Sequence, residues 1–256
     1  ALPNRLVAAL VYDQLCSFEF GCAVEVFGLP RPELGEDWYR FVTCAAQPGP
    51  LRAIGGFTVA AQAGLDVLAT AGTIVIPGWK GADAVPSKEL IGALRNAYAA
   101  GARIVTICSG VFVLAASGLL DGQRVTTHWR YAEKLKALYP TLDVDPNVLY
   151  VDAGRILTSA GSAAGLDLCL HLVRRDFGAP IANQVARRLV IAPHRTGGQA
   201  QFIERPVLPE RYGRLAALIG QLNARLHEPL TIDTMAQLAA MSPRTFIRRF
   251  QEATGK

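Results

Sequence analysis

Two hydrophobic periods alternate along the first three quarters of this chain of 256 residues. "RLVAALVYD" (5–13) is a near-continuous apolar run that closes on loop residues, as a strand buried on both faces would be. "FEFGCAVEVFG" (18–28) carries apolar residues at helical spacing and ends at Gly28, a plausible C-cap. Further apolar runs at "YRFVTCAA" (39–46), "TIVIPG" (73–78), "RIVTIC" (103–108) and "ILTSAG" (156–161) predict strands, and "RVTTHW" (124–129) reads as extended. Helical periodicity falls between them at 87–101, 109–120, 129–140, 164–178 and about 180–191. Ser87 can cap the first of these and Gly101 can end it. Strands alternating with helices predict an α/β three-layer sandwich on a mainly parallel sheet, here over residues 1–191.

Periodicity stops in "APHRTGGQAQFIERPVLPE" (192–210), a Gly/Pro-rich stretch that reads as a linker. It resumes at "RYGRLAALIGQLNARLHEPL", and residues 211–256 are predicted all helical. In "TIDTMAQLAAMSPRTFIRRFQEATG", Thr231 caps a helix to about Ala239, with Met235, Leu238 and Ala239 on its apolar face. A short turn at Ala240–Met241 follows. Ser242 caps a second helix, with Pro243 in its first position. Phe246 and Phe250, four apart, pin that helix to the first, while Arg244, Thr245, Arg248 and Arg249 project elsewhere. That is a helix-turn-helix pattern; the bland alternative is a helical hairpin with a solvated basic face. The final "ATGK" is not a phosphate loop, because the required glycine is Phe250.

Charge sharpens the division. Residues 1–186 hold 15 Lys/Arg against 16 Asp/Glu, and residues 187–256 hold 11 against 5, so the net +5 arises wholly in the tail. A nucleic-acid surface would put it there. No apolar run reaches membrane-spanning length, and no signal stretch opens the chain, so neither membrane nor secretion is expected. Five scattered cysteines without a CxxC point to reduced, intracellular usage. Four lone histidines (128, 171, 194 and 227) show no metal-ligand spacing, so no metal or cofactor is expected.

Candidate chemistry concentrates at Cys108, directly after an apolar strand and just before a helix. Such strand-to-helix turns collect function in parallel sheets. The helix N-terminus should favour the thiolate and lower the thiol pKa. Gly110 permits close backbone approach. The turn would resemble a nucleophile elbow. "IPGW" (76–79) ends a neighbouring strand, and the amides of Trp79 and Ser109 could form an oxyanion-type pocket. His128 in "TTHW" is the candidate base for Cys108, or else an ordinary satisfied polar residue. Glu19 could bring a carboxyl to the sulfur, or could simply face solvent. Cys16, Cys22, Cys44 and Cys169 read as structural.

"VIPGW", "TICSGVFVLAASGLLDG" and "TTHW" resemble the PfpI-like, class I glutamine-amidotransferase-like superfamily, whose cysteine-to-histidine spacing this chain also fits. Glu19 falls where that family carries an acidic residue against the cysteine. "TSAGSAAGLDLCLHLVRRDFGA" and "APHRTGGQAQF" resemble the subgroup fused to an AraC-type DNA-binding domain, the GlxA/FtrA-type regulators. The resemblance implies a sensor pocket for a small-molecule effector at Glu19, Gly78, Trp79, Cys108, Ser109 and His128, with no catalysis expected. Many family enzymes have a second glycine after "PG"; Trp79 here narrows the pocket and weakens an enzymatic reading.

"MSPRTFIRRFQEATG" is similar to the first recognition helix of AraC-type regulators. The likeness implies that Arg244, Ile247 and Arg248 face the major groove of sequence-specific double-stranded DNA, with Thr245 and Arg249 on phosphates. AraC-type domains have two such units, and the sequence ends at Lys256 after the first, so this chain alone is expected to bind DNA poorly. The resemblance further implies a homodimer through the N-terminal domain in a bacterial cytoplasm.

The expected function is a transcriptional regulator that senses a metabolite. The alternatives are a cysteine-dependent hydrolase, hydratase or lyase acting on a small carbonyl or nitrile compound, and a redox sensor in which Cys108 is oxidised beside Glu19.

Overall fold

The structure, a computed structural model, describes residues 4–35, 38–195, 198–199, 218 and 231–254. Its chain divides into two compact units, Ala1–Gln201 and Phe202–Lys256.

In the first unit, β1 (Leu6–Leu10) leads into α1 (Ser17–Ala23), which widens into one π turn (Val24–Gly28). Then come β2 (Arg40–Cys44), the small hairpin β3 (Pro50–Arg52) and β4 (Thr58–Ala60), β5 (Thr73–Pro77) and α2 (Lys88–Ala99). They are followed by β6 (Arg103–Ile107), α3 (Val111–Ala116), β7 (Arg124–Val125), α4 (Trp129–Leu138) and β8 (Asp143–Val144). The strands β9 (Tyr150–Ala153) and β10 (Ile156–Ser159) and the helices α5 (Ala164–Phe177) and α6 (Ala179–Arg188) complete it.

Six strands form one sheet in the order β2-β1-β5-β6-β10-β9. All neighbours pair parallel except β9, which runs antiparallel to β10 at the edge. Side chains alternate across this sheet as a two-residue period requires. Ala8, Leu10, Ile74, Ile76 and Ile104 face a core built with α2, α3 and α4. Val7, Ala9, Val75, Val105 and Ile107 face a second core built with α1, α5 and α6. Both faces of the sheet are therefore covered, and the predicted three-layer sandwich is the observed one.

The structure departs from, or adds to, the expected elements in three places. The helix expected over 109–120 is confined to Val111–Ala116: residues Cys108–Gly110 form a tighter 3₁₀ turn, and Gly118 at φ +74° ends the run. Only Arg124 and Val125 of "RVTTHW" are strand, and they pair with β8 outside the main sheet. The groups beyond them bond to side chains instead; the Thr126 N–H, for example, donates to Thr158 Oγ1 at 2.8 Å. Short, mixed-polarity β9 was not anticipated.

In the second unit, α7 (Ile232–Leu238) and α8 (Pro243–Thr254) form the expected helix pair. Thr231 accepts from the Thr234 N–H at 3.2 Å, and Ser242 accepts from the Thr245 N–H at 3.3 Å, so both expected caps are made. Ala240 takes a positive φ of 52° in the turn between them. Phe246 is buried with Ala236, Ala239 and Leu218, and Phe250 packs against this cluster. Leu238, expected on the apolar face, is 40% exposed; Ala236 takes the buried place. Apart from Leu218, the helical stretch predicted over 211–230 lies outside the described residues.

The starting edge of the sheet is locked by a buried ion pair. Arg103 opens β6 and bonds Asp176 of α5 through both guanidinium nitrogens, at 2.7 and 3.0 Å. The same guanidinium donates to Thr73 Oγ1 at the start of β5, and Tyr39 OH donates to the Asp176 carboxylate. Removing one partner leaves the other charged and buried. Asp176→Ala is therefore expected to lower unfolding stability by roughly 3–5 kcal/mol, read as a reduced urea midpoint with an unchanged slope.

Candidate functional site

Cys108 stands where β6 ends, and it is the strained residue of the site, with φ at +56°. A non-glycine residue in that region costs about 1–3 kcal/mol, and such residues cluster at functional turns. The turn is tight because the next segment passes close to β5: a methyl group on Gly110 would lie 2.4 Å from the Ile76 carbonyl oxygen. The Cys108 carbonyl is held by Thr127 Oγ1 at 2.8 Å. An elbow geometry is thus present, with a buried thiol that lies within electrostatic reach of Glu19 on α1.

The electrostatics run against a thiolate. Burial pushes the Cys108 thiol up to about 12, and the Glu19 carboxylate pushes in the same direction. The amide and hydroxyl of Ser109 oppose this without overcoming it. Sequence position at a helix start predicted the reverse. The correction has a structural cause: a 3₁₀ turn and a six-residue helix supply little dipole, while desolvation acts in full on a thiol with 9% exposure. Glu19 is itself buried on α1 rather than solvent-facing, and it accepts from the Ser162 N–H at 3.3 Å.

Trp79 and Ser109 interlock. The Trp79 N–H donates to Ser109 Oγ at 2.9 Å, and Ser109 Oγ in turn lies 3.2 Å from the Trp79 carbonyl oxygen. The Trp79 amide is therefore already engaged and is not an idle oxyanion donor. Gly78, at φ +77°, has no room for a side chain, since a methyl there would sit 2.6 Å from Cys16 Sγ.

His128 is the N-cap of α4, and its Nδ1 accepts from the Arg130 N–H at 3.2 Å. Burial, and then Arg130, lower its pKa, so it is a neutral acceptor at pH 7. Among the described residues, its ring bonds to its own helix and not to Cys108. The Glu19 charge nonetheless reaches His128, Cys108, Cys16 and Tyr131 alike, so these groups share one electrostatic environment.

Sequence reading missed part of this environment. Cys16, set aside as structural, has its Sγ 3.6 Å from the Trp79 carbonyl oxygen and, once ionised, would oppose ionisation of Cys108. Its position three residues before Glu19, at helical spacing, was the available signal. Tyr12 packs against Trp79 with the rings tilted at 52° and centroids 4.8 Å apart, and its hydroxyl donates to the Pro77 carbonyl at 2.9 Å. A cavity of about 250 Å³ opens at this end of the sheet, lined by Tyr12, Asp13, Gln47, Trp79, Lys80 and Ser87 among others. Of the expected pocket residues, Trp79 alone lines it. Cys22, Cys44 and Cys169 are buried and free, as expected. Among the described residues there is no group of three or more His, Cys, Asp or Glu side chains able to hold a metal.

Because Glu19 contributes to the raised thiol, Glu19→Gln is expected to speed alkylation of Cys108 by iodoacetamide at pH 8. One pKa unit would raise the thiolate fraction about tenfold. In the unaltered protein the rate should keep climbing with pH toward 12, as the buried thiol ionises. A plateau near pH 9, read by peptide mass spectrometry, would contradict this account of the site.

Residues 6–175 match the DJ-1/PfpI family. The HTH-type transcriptional regulator GbdR of Pseudomonas aeruginosa is 24% identical over 247 residues, covering 96% of this chain and 67% of that protein. CdhR, an HTH-type transcriptional regulator of the same organism, is 31% identical over 220 residues, covering 84% and 64%. This chain thus spans about two thirds of the length of these relatives. An AraC family transcriptional regulator from Pseudomonas putida superposes with a TM-score of 0.64 at 21% identity, over 73% of this chain and 100% of that one, which bears on the fold alone. With an elbow cysteine, a carboxylate beside it and the family match covering most of the first unit, this chain belongs to the DJ-1/PfpI family.

Proposed function

We infer that the protein is a DNA-binding transcriptional regulator whose first unit senses a small metabolite. The observation that carries this reading is the helix pair α7–α8. Its second helix is capped by Ser242 and anchored by Phe246, and it leaves Arg244, Ile247 and Arg248 exposed. An exposed isoleucine between arginines suits a groove that offers both base edges and thymine methyls. Thr245 and Arg249 are half-buried beside them, placed for phosphates. The basic excess of residues 187–256 supports the same surface. Both relatives named above are HTH-type regulators.

Recognition rather than turnover is the role proposed for the pocket at Glu19, Gly78, Trp79, Cys108, Ser109 and His128. A thiol held protonated and a histidine bonded into its own helix support that choice, because nucleophilic catalysis needs a thiolate or a base in contact with it. An effector would act by favouring one arrangement of the two units over another. The five free cysteines suit a reducing, cytoplasmic setting. No helix among the described residues is long and apolar enough to cross a membrane. Homodimerisation through the first unit rests on the family resemblance.

The test is fluorescence anisotropy on the protein expressed from its full reading frame, with its own upstream DNA and a scrambled duplex, at several salt concentrations. The expected result is a preference for the natural sequence that persists as salt rises. Arg244→Ala should then reduce that preference by roughly 1–3 kcal/mol at the contacted position. Equal and steeply salt-dependent binding to both duplexes would mean phosphate attraction alone, and would end the regulator reading.

A further inference from the structure

The chain contains a stitch that neither the pocket nor the helix pair accounts for. Gln199 lies inside the stretch expected as a linker, yet its side chain is 3% exposed. Its Oε1 accepts from the Trp129 N–H at 2.9 Å. Its Nε2 donates to the Thr127 carbonyl at 2.8 Å and reaches Thr126 Oγ1 at 3.3 Å. The backbone is fixed as well, since the Gln199 N–H donates to the Asn147 carbonyl at 3.0 Å and Gly198 bridges Val148. That bridge admits only glycine, because a methyl on Gly198 would fall 1.7 Å from the Asn147 oxygen.

Its partners are elements of the candidate site. The first amides of a helix have no intrahelical acceptor. At α4, Trp129 is served by Gln199 and Arg130 by His128. Two residues 71 positions apart thus share the capping of one helix. Thr127, whose carbonyl accepts from Gln199, also donates its hydroxyl to the carbonyl of strained Cys108. A continuous line of hydrogen bonds therefore runs from Cys108 through Thr127 to Gln199, two residues before the first unit ends at Gln201.

We propose that Gln199 is the positioning residue that couples the cysteine pocket to the segment leading to the helix pair. With Gln199 seated, the 126–129 segment and His128 are held in place. A change at Cys108 or Thr127 alters the seat, and release of Gln199 uncaps α4 and frees His128. Coupling of this kind runs both ways: seating Gln199 stabilises the 126–129 segment, and an ordered 126–129 segment stabilises the seat of Gln199. The regulator reading supplies only the purpose of this coupling. The measurement below uses neither DNA nor effector, so the DNA titration can fail while the coupling stands, and the coupling can fail while DNA binding stands.

The test is amide hydrogen exchange, read by NMR on the whole chain. Gln199→Ala should speed exchange of the Trp129 amide at least tenfold while the β5 and β6 amides keep their rates. Thr127→Val keeps the carbonyl and the side-chain volume but removes the hydroxyl; it should speed exchange of the Gln199 amide several-fold. Gln199→Glu supplies a control that packing alone would not move. The carboxylic acid can donate to the Thr127 carbonyl where the amide did, whereas the carboxylate would face that carbonyl with like polarity. Its intrinsic-rate-corrected Trp129 protection should therefore approach the unaltered level at pH 4.5 and fall at pH 8. An unchanged Trp129 amide in Gln199→Ala overturns the proposal. So does an unchanged Gln199 amide in Thr127→Val, acceleration spread evenly over the core strands, or pH-independent protection in Gln199→Glu.

Discussion

The left-handed backbone at Cys108 is the constraint to which the rest of the site conforms. A side chain at φ +56° persists only where its surroundings over-determine it. Here Gly110 lets the turn press on the β5 carbonyl, Thr127 holds the cysteine's own carbonyl, and Ser109 fastens to both polar backbone groups of Trp79. Two of these fixtures meet the end of β5 and the third comes from the segment before α4, so the turn also ties β5, β6 and the start of α4 to one another. Removing the strain would loosen that junction, which is why the elbow is informative even with its thiol protonated.

The two ends of the sheet solve opposite problems. At the starting edge, a buried charge is fully matched: Arg103 and Asp176 meet through two hydrogen bonds, with Thr73 and Tyr39 satisfying what remains. At the finishing edge, the Glu19 carboxylate sits near two thiols, no cation among the described residues forms a salt bridge with it, and the ionisation of the thiols is suppressed. The first arrangement resists change, as complete networks do. The second leaves the ionisation of both thiols sensitive to any change of charge at the finishing edge.

Much of this was legible in the sequence. Strands that are apolar on both faces and helices with one apolar stripe gave the layered sandwich, because burial enforces those periods directly. Ser87, Thr231, Ser242 and Pro243 marked helix starts correctly, since capping is local chemistry. What escaped had non-local causes. The thiol's pKa follows from burial by segments distant in sequence. Cys16 joins the site only because the backbone at Gly78 leaves space for its sulfur. Gln199, within a Gly/Pro-rich stretch without periodicity, carries no local mark of being buried. Short β9 offered too few residues for a two-residue period to stand out.

That last strand has a consequence for how the sheet assembles. Every other neighbouring pair joins strands separated by a crossover of tens of residues, whereas β9 and β10 meet across Gly154 and Arg155. Loop closure costs least for the shortest connection, and nearby partners find each other sooner. The hairpin therefore offers the fastest pairing in a sheet that otherwise waits on long-range encounters. It is also the piece whose far end, at Ser159, delivers the chain to Ser162 and the Glu19 carboxylate. The backbone that holds Glu19 thus follows the quickest-forming part of the sheet, whereas Cys108 ends β6, one of the strands that must wait for long-range partners.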